Sequence, residues 1–169
     1  MLTLDAINHF DADQFVAALG FAFEQSPWVA AATWPQRPFA SIDALHAALG
    51  ATMYHASAER QIALIRAHPD LAGKAAIAGE LTPESTNEQA SAKLDQLSPE
   101  EYATFTQLNN AYRERFGFPF VIFVREHTKQ SIMTQFGRRL DHSRDQEVTT
   151  ALDEIVKIAR RRLNDVIIF

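Results

Sequence analysis

Cysteine is missing altogether from this chain of 169 residues. Its absence excludes disulfides, thiolate metal sites and cysteine nucleophiles, and it suits a reducing compartment. Long apolar runs are missing too, because the longest, Phe118 to Val124, falls far below the ~18 residues that a bilayer span needs. Asp5 arrives too early for a signal peptide, and the end Val166-Ile167-Ile168-Phe169 lacks an address of the Ser-Lys-Leu type. A cytoplasmic protein with no membrane partner is expected. Basic charge is scarce as well: the formal net charge is -5, and the one basic cluster is Arg160-Arg161-Arg162. Nucleic acid, which needs a basic face, is therefore not an expected partner. There is no Gly-rich phosphate loop, and His9, His46, His55, His127 and His142 form no paired spacing such as His-Glu-x-x-His. Neither an organic cofactor nor a metal is expected.

With 47% hydrophobic and 22% charged residues, the composition is that of a folded globular chain, and its length suits one core. No repeat, low-complexity tract or linker interrupts it, so residues 1–169 are read as a single domain. Helix punctuation recurs along it. Ser98 and Glu101 make a capping box with Pro99 at the first helical position, and Gly117 closes the segment, which predicts one helix from Ser98 to Phe116. Tyr102, Phe105, Leu108, Tyr112 and Phe116 fall on one core-facing stripe of it. Similar starts stand at Asp11 with Gln14, at Ser41, at Thr82 before Pro83, at Thr128, and at Ser143 with Gln146. Period-two alternation is absent. The expected fold is an all-α helical bundle with a short extended connector at 118–124, where Phe120-Val121-Ile122-Phe123-Val124 is β-prone but too short for a sheet.

Three sets of residues carry possible chemistry. Ile62 and Ile65 lie at helical spacing behind a Ser57 cap, and Pro69 disfavours helical geometry at His68, so the His68 imidazole stands where a helix stops. Imidazole titrates near pH ~6.5 and can exchange protons there; a satisfied turn residue is the competing reading. Ser85, Glu88 and Gln89 stand at i, i+3 and i+4 after Thr82, with Ala90, Leu94 and Leu97 on the other side, which reads as a substrate-binding face or a solvated one. On the last helix Val148, Leu152, Ile155, Ala159 and Val166 mark a buried stripe that places Arg162 near its centre. A buried guanidinium needs an anion, either a ligand or a structural ion pair.

The run His-Pro-Asp-Leu-Ala-Gly-Lys at 68–74, then Gly79-Glu80-Leu81-Thr82, Ser85, Glu88-Gln89 and Phe116-Gly117-Phe118-Pro119-Phe120 form one ordered set. Ser26-Pro27-Trp28 precedes it and Arg125-Glu126-His127-Thr128 follows. In order and spacing the set resembles the 2-oxo-4-hydroxy-4-carboxy-5-ureidoimidazoline (OHCU) decarboxylases, the last enzymes of the route from urate to allantoin. The resemblance spans nearly the whole chain. It implies cofactor-free decarboxylation of a ureidoimidazoline to (S)-allantoin, with His68 and Glu88 catalytic. It further implies that Pro69, Ser85, Gln89, Arg162 and the backbone of Phe120 and Ile122 bind the substrate, and that the protein is a homodimer. His-Pro-Asp after a helix also marks the J-domain co-chaperones, which bind a partner ATPase and catalyse nothing. Those need a basic helix before the tripeptide, whereas Ser57 to Arg66 offers Arg60 and Arg66 with Glu59 between.

Overall fold

Local capping chemistry sets the helix starts. The computed structural model describes residues 1–168, apart from the side chain of Ala75; Phe169, part of the chain end read above, lies outside the described residues. Ten α-helices occur among them: α1 (Leu4–His9), α2 (Ala12–Leu19), α3 (Trp28–Thr33), α4 (Ile42–Tyr54), α5 (Ala58–Ala67), α6 (Lys74–Ala78), α7 (Pro83–Ser91), α8 (Pro99–Phe116), α9 (Lys129–Leu140) and α10 (Arg144–Val166). Every start expected from a cap is present. Asp11 and Gln14 close a reciprocal box at 2.8 and 3.0 Å before α2, and Ser98 and Glu101 do so at 2.9 and 3.1 Å before α8. Each such pair satisfies backbone donors that a helix start would otherwise leave open. Gly117, at φ 79°, supplies the left-handed residue that ends α8.

The chain forms two compact units, one made of Met1–Ala67 with Ile155–Phe169 and one of His68–Glu154. In the first, α2 packs on α3 and α3 on α4, burying Phe15, Leu19, Val29, Leu45, Leu49 and Met53 completely. Thr33 Oγ1 donates to Thr52 Oγ1 at 2.8 Å and ties α3 to α4. Two short strands that the sequence does not announce, β1 (Leu2–Thr3) and β2 (Ile167–Ile168), pair in parallel, Leu2 opposite Ile167. The apolar chain end thus completes this unit's own sheet.

The second unit holds α6 to α9 and the first half of α10. Its core is aromatic: Phe105, Tyr112, Phe118, Phe120 and Phe136 are buried, with Tyr112 edge-on to Phe120 and Phe136. The stripe expected on α8 is buried at Phe105, Tyr112 and Phe116, whereas Tyr102 and Leu108 are partly exposed. Pro119–Phe123 form neither helix nor strand, and Phe118, Phe120, Val121, Ile122 and Val124 are buried. This is the buried connector expected at 118–124; a 3-10 turn, Val124–Glu126, closes it. Among the described residues no helix is long and apolar enough to cross a membrane.

Candidate active site

Helix α5 starts with Arg60 N–H on Ser57 Oγ at 3.3 Å and stops at Ala67, so His68 is the first residue past its end. The next residues make one tight turn. Ala72 adopts φ 51°, a left-handed conformation that costs a non-glycine residue roughly 1–2 kcal/mol. A side chain at Gly73 would meet Asp70 Cβ at 2.8 Å, so glycine alone fits there. Several side chains fasten the turn. Gln89 Oε1 accepts the Ala72 N–H at 2.9 Å, and Gln89 Nε2 donates to the Asp70 carbonyl at 3.3 Å. From α8, Asn109 Nδ2 donates to the Leu71 carbonyl at 2.8 Å, and Arg113 Nε donates to Asp70 Oδ1 at 2.8 Å.

Helix α7 presents its polar face inward. Ser85, Glu88 and Gln89 are 4%, 9% and 6% exposed, and His68 is 6% exposed, whereas Ala90 on the opposite face lies open. A solvated Ser85–Glu88–Gln89 face is thereby excluded. Ala90 lies beside a mainly apolar cavity of about 610 Å³ that Ile77, Leu81, Leu94 and Tyr102 line together with Gln89. The helix also stops at Ser91, short of the Leu94 and Leu97 that its periodicity suggested. Polar side chains withdrawn from water cost several kcal/mol unless partnered. Four of them, His68, Ser85, Glu88 and Gln89, lie on two segments that Gln89 joins. Helix α7 also packs against the 3-10 turn at Val124–Glu126, where the 118–124 connector ends.

That connector is held from behind. Arg139 Nη1 donates to the Val121 carbonyl at 2.7 Å, and its guanidinium lies 4.3 Å from the centre of the Phe120 ring. Arg139 is paired at 2.8 Å with Glu147, which is fully buried and also accepts from the Tyr112 hydroxyl; His142 Nδ1 stands 2.7 Å from its other oxygen. Burial pushes the Tyr112 phenol far above its usual range. Glu154 accepts the Phe123 N–H at 2.7 Å.

Arg162 belongs to the first unit. It is 3% exposed, pairs with Glu24 Oε2 at 2.8 Å and donates to the Phe21 carbonyl at 3.1 Å. Of the two anions considered for it, a structural carboxylate is present. Glu24, Asn109 and Arg113 escaped the sequence reading, and only Asn109 left a signal, as a polar residue beside the aromatic stripe of α8. Among the described residues no three His, Asp or Glu side chains gather in a way that could hold a metal ion.

Histidine, carboxylate, hydroxyl and amide groups withdrawn from water on a helical frame are the kinds of group that acid–base chemistry uses. The sequence profile of the OHCU decarboxylases matches residues 8–164. Relatives from Haloferax volcanii and Halalkalicoccus jeotgali, both named 2-oxo-4-hydroxy-4-carboxy-5-ureidoimidazoline decarboxylase, are 48% and 46% identical, covering 96% and 97% of this chain and 94% and 91% of theirs. A crystal structure of (S)-allantoin synthase matches with a TM-score of 0.79 and 29% identity over 98% of this chain; this chain spans 54% of that one. The chain belongs to the OHCU decarboxylase family. A match of this extent leaves the J-domain alternative unsupported.

Proposed function

We propose that this protein decarboxylates 2-oxo-4-hydroxy-4-carboxy-5-ureidoimidazoline to (S)-allantoin, a carboxy-lyase reaction that completes the conversion of urate to allantoin. The substrate carries a carboxylate and a hydroxyl on one ring carbon and an imine next to it. As carbon dioxide leaves, the bonding pair moves into the imine, which serves as the electron sink that a cofactor supplies to other decarboxylases. The imine nitrogen takes up a proton as the pair arrives, and the enol left behind then loses its hydroxyl proton and gains a proton at the ureido-bearing carbon; protonation from one face fixes the hand of the product. His68, with Glu88, moves these protons. Gln89, Ser85, Pro69 and the backbone of Phe120 and Ile122 hold the ring and ureido edges, lowering the entropic cost of the reactive geometry.

The observation that carries this reading is the inward polar face of α7, with Ser85, Glu88 and Gln89 buried and Gln89 fastened to the turn that follows His68. Residues 1–169 act as one domain, and family likeness supports a homodimer of twice 18.9 kDa. The cysteine-free composition supports residence in the cytoplasm.

Circular dichroism of allantoin formation from freshly generated substrate tests the proposal. Wild type is expected to give one enantiomer well above the spontaneous rate, and His68→Ala to lose about 10²- to 10⁴-fold of kcat while remaining folded. Racemic product at the spontaneous rate with wild type would remove the assignment.

A further inference from the structure

The connector is gripped at alternate residues. Arg139 holds the carbonyl of Val121 and Glu154 holds the N–H of Phe123. In an extended chain the N–H and C=O of one residue share an edge, and those of the next residue face the opposite edge. With 121 and 123 held, an extended course through 120–122 would turn the backbone groups of Phe120 and Ile122 toward the opposite edge. We infer that Arg139 and Glu154 are positioning residues for the decarboxylase, forming an ionic clamp behind the connector that presents the Phe120 and Ile122 backbone edge to the substrate. The inference rests on the decarboxylase reading above.

The two jaws differ in chemistry. Arg139 is a cation fixed in plane by Glu147 at 2.8 and 2.9 Å, so its remaining fork points at the Val121 carbonyl. It also lies over Phe120, whose ring stacks on Phe136 at 3.7 Å between centroids, which sets that residue's direction as well. Glu154 is a carboxylate on α10 receiving an N–H, a charge-assisted bond of the shorter and stronger kind. A positive jaw takes the acceptor and a negative jaw takes the donor. A connector without helix or ladder bonds thus gains a fixed register. The groups presented to a ligand are amides and carbonyls, which suit the alternating donors and acceptors of a ureido group.

The test compares wild type with Glu154→Ala, Glu154→Gln and Arg139→Lys, reading kcat and KM by circular dichroism and amide hydrogen exchange at Phe123. Contacts made equally with substrate and transition state appear in KM alone. Glu154→Ala is therefore expected to raise KM about five- to tenfold with kcat within about twofold, and to speed exchange at Phe123. Glu154→Gln, which keeps an acceptor oxygen, restores both readouts. Arg139→Lys keeps a cation beside Glu147 but lacks the fork that reaches two acceptors, and it raises KM in the same direction. An unchanged KM in Glu154→Ala, or a Glu154→Gln variant as impaired as Glu154→Ala, overturns the clamp. Wild type without catalysis removes the decarboxylase reading instead; Phe123 exchange then still judges the clamp, which fails if Glu154→Ala leaves that exchange unchanged.

Discussion

Tyr112 donates its hydroxyl to a carboxylate that lies completely out of water, and burial raises its pKa far above the usual phenol range. In the unfolded chain the phenol ionises near pH ~10, whereas in the folded chain it stays protonated. The stability tied to this group is therefore fully present below about pH 10 and falls as pH rises beyond it, because the unfolded state alone gains from losing the proton. Tyr112→Phe should lower stability at neutral pH by about 1–3 kcal/mol, since Glu147 loses a donor. The same variant should also flatten the fall above pH ~10, as measured by urea midpoints across pH; an equally steep fall in Tyr112→Phe would contradict the assignment. Such groups were hidden from the sequence reading for a physical reason. Tyr112 reads as one more member of an apolar stripe, Arg139 and Glu147 belong to no motif, and their meeting depends on separations of 8 to 35 residues that no local pattern encodes. His68 was legible because Pro69 beside it constrains the backbone locally. The partners that fasten its turn, Asn109 and Arg113, act across 38 and 43 residues.

At the level of elements, two helix caps separate stability from function. Thr82 Oγ1 accepts the N–H of Ser85 at 3.2 Å and starts α7, whereas Ser98 caps α8, which carries none of the proposed catalytic or substrate-binding residues. Removing either cap should cost about 1 kcal/mol, yet only Thr82→Ala loosens the turn of helix that carries Ser85. The expected outcome is a similar drop in urea midpoint for Thr82→Ala and Ser98→Ala, with a raised KM only in the former. Equal KM values would separate Ser85 from substrate binding. The helix starts themselves were readable because a cap is a contact between residues three apart, written in the sequence. The inward face of α7 was not, since Ser85, Glu88 and Gln89 are polar, and amphipathicity alone sends a polar face to water. The fold reverses that rule at α7, where Ser85, Glu88 and Gln89 are buried, and only the Glu88-Gln89 match to a known family spoke against a solvated face. The β1–β2 pair was equally invisible, being two residues on each side joined across nearly the whole chain.

Across the whole molecule, the first unit is discontinuous, because Met1–Ala67 is completed by Ile155–Phe169 only after His68–Glu154 has been made. Residues 1–67 by themselves lack Arg162 for buried Glu24 and Ile167 for Leu2. Breaking a buried ion pair by removing one partner costs about 3–5 kcal/mol, a large share of the roughly 5–15 kcal/mol that keeps a domain folded. The second unit is continuous, from His68 to Glu154. If residues 1–169 act as one domain, both units must unfold together, and the chain carries a natural probe for this: its two tryptophans, Trp28 and Trp34, both lie in the first unit. Tryptophan fluorescence therefore reports the first unit alone, while far-ultraviolet circular dichroism reports helices throughout. Urea unfolding followed by both signals should give coincident transitions with one midpoint. A fluorescence transition that precedes or follows the loss of helix would divide the chain into two separately stable units and end the single-domain proposal.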